Sequence, residues 1–113
     1  MPVRALCFSP DSSLLLTGCD DTNAHLYDVA HGTQVGVLGD HHSWVLGVAI
    51  SPDRRHLATC SSDKTVKVWD AASSNVVASF EQHTDQVWGC AFNPDGSRLA
   101  SVGADRVINV FSL

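Results

Sequence analysis

Basic residues are scarce in this 113-residue chain: lysine and arginine number 7 against 12 aspartates and glutamates, for a formal charge of −5. A surface of that sign repels phosphate backbones and argues against direct nucleic-acid binding. No apolar run approaches the roughly 20 residues needed to span a bilayer; the longest is Val45 to Ile50, broken by Gly47. No signal-peptide core follows the opening Met1-Pro2-Val3-Arg4. Cys7, Cys19, Cys60 and Cys90 contain no C-x-x-C pair. They are therefore expected to be reduced thiols in small apolar positions of an intracellular protein, with no disulfide framework and no metal site. No segment carries a helical period, no G-x-S-x-G elbow occurs, and the six histidines form no H-x-x-x-H pair. Charged residues at 17% and hydrophobic residues at 44% leave one modest globular domain rather than a disordered tail.

What is present is repetition. Pro10, Pro52 and Pro94 stand 42 residues apart, and the same step carries Asp11 to Asp53 to Asp95 and Leu15 to Leu57 to Leu99. It also carries Asp21 to Asp63 to Asp105, Val3 to Val45 to Val87, and Tyr27 to Trp69 to Phe111. A period of about 40–45 residues ending in a Trp-Asp pair, here Trp69-Asp70, is the mark of a WD-type β-propeller blade. Tyr27-Asp28 and Phe111-Ser112 are degenerate versions of that pair.

Inside each copy the chemistry alternates strand and turn. Val45 to Ile50 is apolar enough to be buried on both faces. Ser51-Pro52-Asp53-Arg54-Arg55 then turns the chain, with His56 closing the turn. Leu57 to Cys60 reads as a small-residue inner strand, and Thr65 to Trp69 alternates as a half-exposed strand. Asn75 to Phe80 supplies an outer strand. The expected fold is all-β: a partial propeller of about three blades of antiparallel strands, over residues 1–40, 41–82 and 83–113, the last without its outer strand. Such propellers have about four to eight blades. The sequence is thus expected to be the C-terminal part of a longer propeller, or a short chain that closes with partner chains.

The repeat also aligns polar residues that pack a blade corner. His41, Thr59, Asp63 and Trp69 make a full set for a buried hydrogen-bond chain in the middle copy. The third copy has His83, Ser101 and Asp105, but Phe111 has no indole donor; the first has Thr17, Asp21 and Tyr27. The middle blade should therefore be the most stable. A hydrolase reading of histidine, aspartate and serine is disfavoured, because an active site has no reason to recur at the repeat period. Adjacent His41 and His42 point apart and make a poor metal pair.

Together, Ser51-Pro52-Asp53, Leu57-Ala58-Thr59 and Ser62-Asp63-Lys64-Thr65-Val66-Lys67-Val68-Trp69-Asp70 resemble the WD-repeat family, a likeness that runs the length of the chain. Within it, Pro2-Val3-Arg4 with Phe8-Ser9-Pro10-Asp11-Ser12, Ser43-Trp44-Val45-Leu46 and His83-Thr84-Asp85-Gln86-Val87-Trp88-Gly89 look like the last three repeats of one kind of subunit. It is the WD-repeat subunit shared by the superkiller complex and the RNA-polymerase-associated factor complex. Gly39-Asp40-His41 departs from the family's glycine-histidine pair. The resemblance implies a non-enzymatic scaffold, without cofactor, in nucleus and cytoplasm. Its implied partners are the tetratricopeptide scaffold subunit and RNA helicase of the superkiller complex and subunits of the polymerase-associated factor complex, with no direct nucleic acid and no membrane.

Propellers bind where loops emerge from rigid blades. The repeat puts Pro2, Arg4, Trp44, Leu46, Gln86 and Trp88 on one rim, with Asp20, Ser62 and Ala104 as a second set. Neither Trp44 nor Trp88 has an aromatic counterpart in the other copies, and tryptophan is frequent in binding hot spots. Lys64, Lys67, Arg54, Arg55, Arg98 and Arg106 are scattered without interleaved aromatics and read as a solvated surface. The alternative is a substrate-recognition propeller of a ubiquitin ligase, or a histone-tail reader, which a channel ringed by acids and aromatics would favour.

Overall fold

Among the described residues, short runs of β-branched and small apolar residues, cut by proline and aspartate turns, form eleven strands in three antiparallel sheets. The structure is a computed structural model describing residues 2–113; Met1 of the opening run lies outside the described residues. The first sheet holds β1 (Val3–Phe8), β2 (Leu14–Cys19), β3 (Ala24–Asp28) and β4 (Thr33–Leu38) in that order. The second holds β5 (Val45–Ile50), β6 (His56–Ser61), β7 (Val66–Asp70) and β8 (Asn75–Phe80), again in order. The third has β9 (Val87–Phe92), β10 (Arg98–Gly103) and β11 (Ile108–Ser112) and no fourth strand among the described residues. Strand β5 packs the second sheet against β1, β2 and β9, so β1, β5 and β9 are the inner strands of three side-by-side blades. This is the expected partial propeller.

Two apolar seams hold the blades together. Leu16, Ala24, Leu26 and Leu38 of the first blade pack on Ile50, Leu57 and Trp69 of the second. Ala49, Ala58, Cys60, Val66 and Val68 of the second pack on Val87 and Leu99 of the third. Each fully buried leucine or valine contributes roughly 1.5–3 kcal/mol. The second seam closes tightly at Gly47: a Cβ there would lie 3.0 Å from the Trp88 carbonyl oxygen and 3.1 Å from Gly89 Cα. At the outer surfaces the same positions are open. Val66 and Val68 are buried, whereas Ile108 and Val110, 42 residues on, are 71% and 60% exposed.

The turns repeat as faithfully as the strands. Ser12, Arg54 and Gly96 all have φ between 63° and 75°, as do Thr22, Lys64 and Arg106. Before the first of these, Asp11, Asp53 and Asp95 each accept the backbone N–H two residues on, at 2.9–3.0 Å. Hydroxyls of Ser9, Ser51 and Ser97 respectively lead the hydrogen bonds that hold these carboxyls below the usual range.

Three local expectations need correction. Thr65 to Trp69 is not half exposed: Val66, Lys67, Val68 and Trp69 are all buried, because neighbouring blades cover both faces of the middle sheet. Lys67 is accordingly no surface charge; its ammonium reaches Asp40 at 3.0 Å and Ser79 Oγ at 3.3 Å. Leu57 to Cys60 lies second from the inner edge, since β5 occupies that edge. His56 closes the turn as expected, its carbonyl accepting from Ser51 N–H at 2.9 Å and its N–H donating to Ser51 Oγ at 3.0 Å, and it also begins β6, paired with Asp70.

Candidate interaction rim

One backbone device places the rim residues. The pairing of β1 with β2 steps from Val3 to Ala5, that of β5 with β6 from Val45 to Gly47, and that of β9 with β10 from Val87 to Gly89. The skipped residues are Arg4, Leu46 and Trp88, one unpaired bulge residue per blade. Bulges bend a strand and re-aim the side chain they free. Just before each bulge, a carbonyl accepts from the opposite turn: Asp20 N–H to Pro2 at 3.1 Å, Ser62 N–H to Trp44 at 3.0 Å, Ala104 N–H to Gln86 at 2.8 Å. The structure thus joins the two sets of positions that the period aligned.

The side chains there differ from blade to blade. The Arg4 guanidinium lies 4.4 Å from the centroid of the Trp44 ring and forms a two-point ion pair with Asp20, one bond being 2.9 Å. Cation and carboxylate together hold the indole of the second blade against the first. Trp44 remains 46% exposed and Trp88 58%, while Trp69 is 2% exposed in the first seam. Ser62 Oγ donates to Ser43 Oγ at 2.5 Å, and Asp85 takes the Gln86 N–H at 2.8 Å. Leu46 is half-buried and Gln86 exposed. The contact of Arg4 with Trp44 is absent from the repeat logic, because the two residues occupy different positions in it.

The polar corner residues face inward. Trp69 Nε1–H donates to Thr59 Oγ1 at 2.9 Å, Thr59 Oγ1 meets His41 Nε2 at 2.6 Å, and His41 Nδ1 meets Asp63 Oδ2 at 2.9 Å. In the third blade His83 bridges Ser101 Oγ at 2.7 Å and Asp105 Oδ2 at 2.9 Å, with Asn109 Nδ2 3.2 Å from the same ring. Phe111 stacks on Phe80 with centroids 4.0 Å apart. Burial by itself would raise the Asp63 carboxyl, but hydrogen bonds from His41, Thr65 and the His42 N–H outweigh it and hold it well below the usual range. Asp105 is lowered likewise, by the Thr84 and Val107 N–H groups and by His83. The side chains of His41 and His83 are closed off from solvent, and both ring nitrogens of each are engaged. Groups so placed stiffen the blades. His42, by contrast, is exposed.

The family model described as WD domain, G-beta repeat matches residues 1–28, 32–70 and 74–112. The chain belongs to the WD40 repeat family. Each matched WD40 segment ends on the Tyr27-Asp28, Trp69-Asp70 or Phe111-Ser112 pair. Among solved structures it is similar to "Structure of U3-55K" and "Crystal structure of RRP9 WD40 repeats", each at 29% identity and a TM-score of 0.93 over 98% of this chain. The chain spans 36% and 35% of those two chains, about a third of each. No curated protein matches the chain.

Proposed function

We propose that this WD40 chain is a non-catalytic scaffold whose rim docks other proteins. In the finer reading it is the WD-repeat subunit shared by the superkiller complex and the RNA-polymerase-associated factor complex. Its partners are then the tetratricopeptide scaffold subunit, the RNA helicase and the polymerase-associated subunits, in cytoplasm and nucleus. The observation that carries the docking role is the exposure of Trp44 and Trp88 at the bulged ends of β5 and β9, both outside the two apolar seams. The finer reading is supported by Ser43-Trp44-Val45-Leu46 and His83-Thr84-Asp85-Gln86-Val87-Trp88-Gly89, which contain both tryptophans. Large amphipathic rings, a guanidinium and short hydroxyls suit a peptide or protein surface.

The test is affinity capture of the tetratricopeptide subunit by the wild-type chain and by Trp44→Ala/Trp88→Ala. Capture should fall at least tenfold while the far-ultraviolet spectrum and unfolding midpoint stay unchanged. Undiminished capture by the folded double variant would move the docking surface elsewhere, and failure of the wild-type chain to capture it would remove the finer reading.

A further inference from the structure

We propose that Cys19, Asp21 and His25 in the first blade form a binding site for a divalent cation of the zinc class. Cys19 ends β2, Asp21 lies in the following turn and His25 is in β3, where pairing of Gly18 with Ala24 folds the turn back on itself. Sγ of Cys19, a carboxylate oxygen of Asp21 and a ring nitrogen of His25 lie within 4.8 Å of one another. Zinc holds sulfur at about 2.3 Å and nitrogen or oxygen at about 2.0–2.2 Å, so small side-chain rotations let all three share one ion.

Three observations favour a cation over simple packing. First, the repeat does not ask for this set. The equivalent positions are Ser61, Asp63 and Lys67 in the second blade and Gly103, Asp105 and Asn109 in the third. Second, the His25 ring is aimed at the carboxylate of the same turn, its Nε2 lying 3.1 Å from Asp21 Oδ2. Third, the other ring nitrogen, Nδ1, faces Gln34 Oε1 at 3.1 Å. A neutral imidazole has one N–H. With Nδ1–H donating to Gln34, the Nε2 lone pair faces the Asp21 carboxylate, and an ion can be held between the two. Gln34 would then be the outer partner that fixes the ring, as in other metal-bound histidines.

A thiolate with an imidazole selects zinc-class ions over magnesium or calcium. Cys19 is buried, while the Asp21 and His25 side chains are 31% and 17% exposed, leaving a fourth position open towards solvent. Water or a ligand from a docked protein would complete the tetrahedron there. Binding displaces the thiol proton from Cys19 to buffer as the sulfur–metal bond forms.

The whole chain should be titrated with Co2+ as a coloured stand-in, followed by displacement with Zn2+. We expect one equivalent, a thiolate-to-cobalt absorption band, and release of a proton. Cys19→Ser should abolish the band, His25→Gln should weaken binding at least tenfold, and Gln34→Leu should weaken it by about 10–100-fold. His31→Gln, which alters the separate pair with Asp28, should change nothing. Absence of the band, or its survival in Cys19→Ser, would overturn the site. The docking experiment above is read without added metal, so the two proposals stand or fall separately.

Discussion

Replacing Thr59 by valine removes one oxygen and nearly no volume, and it should be among the costliest changes in the molecule. Thr59 Oγ1 is fully buried and serves two neighbours, accepting from Trp69 Nε1–H at 2.9 Å and meeting His41 Nε2 at 2.6 Å. Thr59→Val strands both. A buried polar group left without a partner costs about 1–3 kcal/mol, so the pair predicts a loss of about 2–6 kcal/mol. That is a large part of the roughly 5–15 kcal/mol that stabilises a typical domain. Ser101→Ala in the third blade is the internal control. It strands only His83, whose ring still has Asn109 Nδ2 at 3.2 Å, because Phe111 donates nothing to Ser101. Its cost should be no more than half as large. Urea unfolding followed by tryptophan fluorescence gives both losses. Trp69→Phe made in the Thr59→Val background should then cost less than in the wild type, since its hydrogen bond is already gone. Equal losses at Thr59 and Ser101, or a Thr59→Val loss below about 1 kcal/mol, would refute the argument that this chain of bonds ranks the blades.

Acid should unfold the protein through its aspartates. Asp63 and Asp105 are held below their ordinary value of 3.8 in the fold, so their contribution is complete above that value and disappears as pH falls through the lower native one. Thermal midpoints should be level from neutrality to about pH 5 and fall steeply below about pH 4, with Asp63→Asn flattening part of the descent; a decline already under way at pH 6 would assign control to another group. Lys64 takes a left-handed φ of 75° that costs a side-chain-bearing residue about 1 kcal/mol. Lys64→Gly should accordingly raise the urea midpoint by about 0.5–1 kcal/mol with an unchanged slope, and Gly96→Ala should lower it; the opposite signs would show that these turns are not strained.

Much of this architecture is legible in the 42-residue step, because each element must fit the same neighbours as its counterpart. Prolines 10, 52 and 94 mark real turns, and all but a residue or so of each strand falls where alternation and turn chemistry place it. The left-handed turn residues are a different matter: Ser12, Arg54 and Gly96 share one conformation, and only the last is the residue type that announces it. Lys67 misleads for a physical reason. Its alternation with Val66 and Val68 is that of a strand with one wet face, yet both faces of the middle sheet are covered, and the ion pair with Asp40, far off in sequence, together with Ser79 Oγ makes the burial tolerable. At the rim, the step aligned Pro2, Trp44 and Gln86 with Asp20, Ser62 and Ala104, which backbone bonds join. It gave no sign of Arg4 stacking on Trp44 across a seam.

That division follows from what the bulge does to selection among side chains. Val45 and Val87, one position before the bulge residue, are fully buried, so their size and polarity are dictated by the seams. Leu46 and Trp88 are released from the ladder by the bulge, as is Arg4, and strand pairing no longer dictates their side chains. A guanidinium, an isobutyl group and an indole thus occupy one repeat position without any cost to the framework. Under the docking proposal, these three points can change residue by residue while the blade beneath stays the same, and the variable position of this repeat, rather than its shared ones, would distinguish one partner from another.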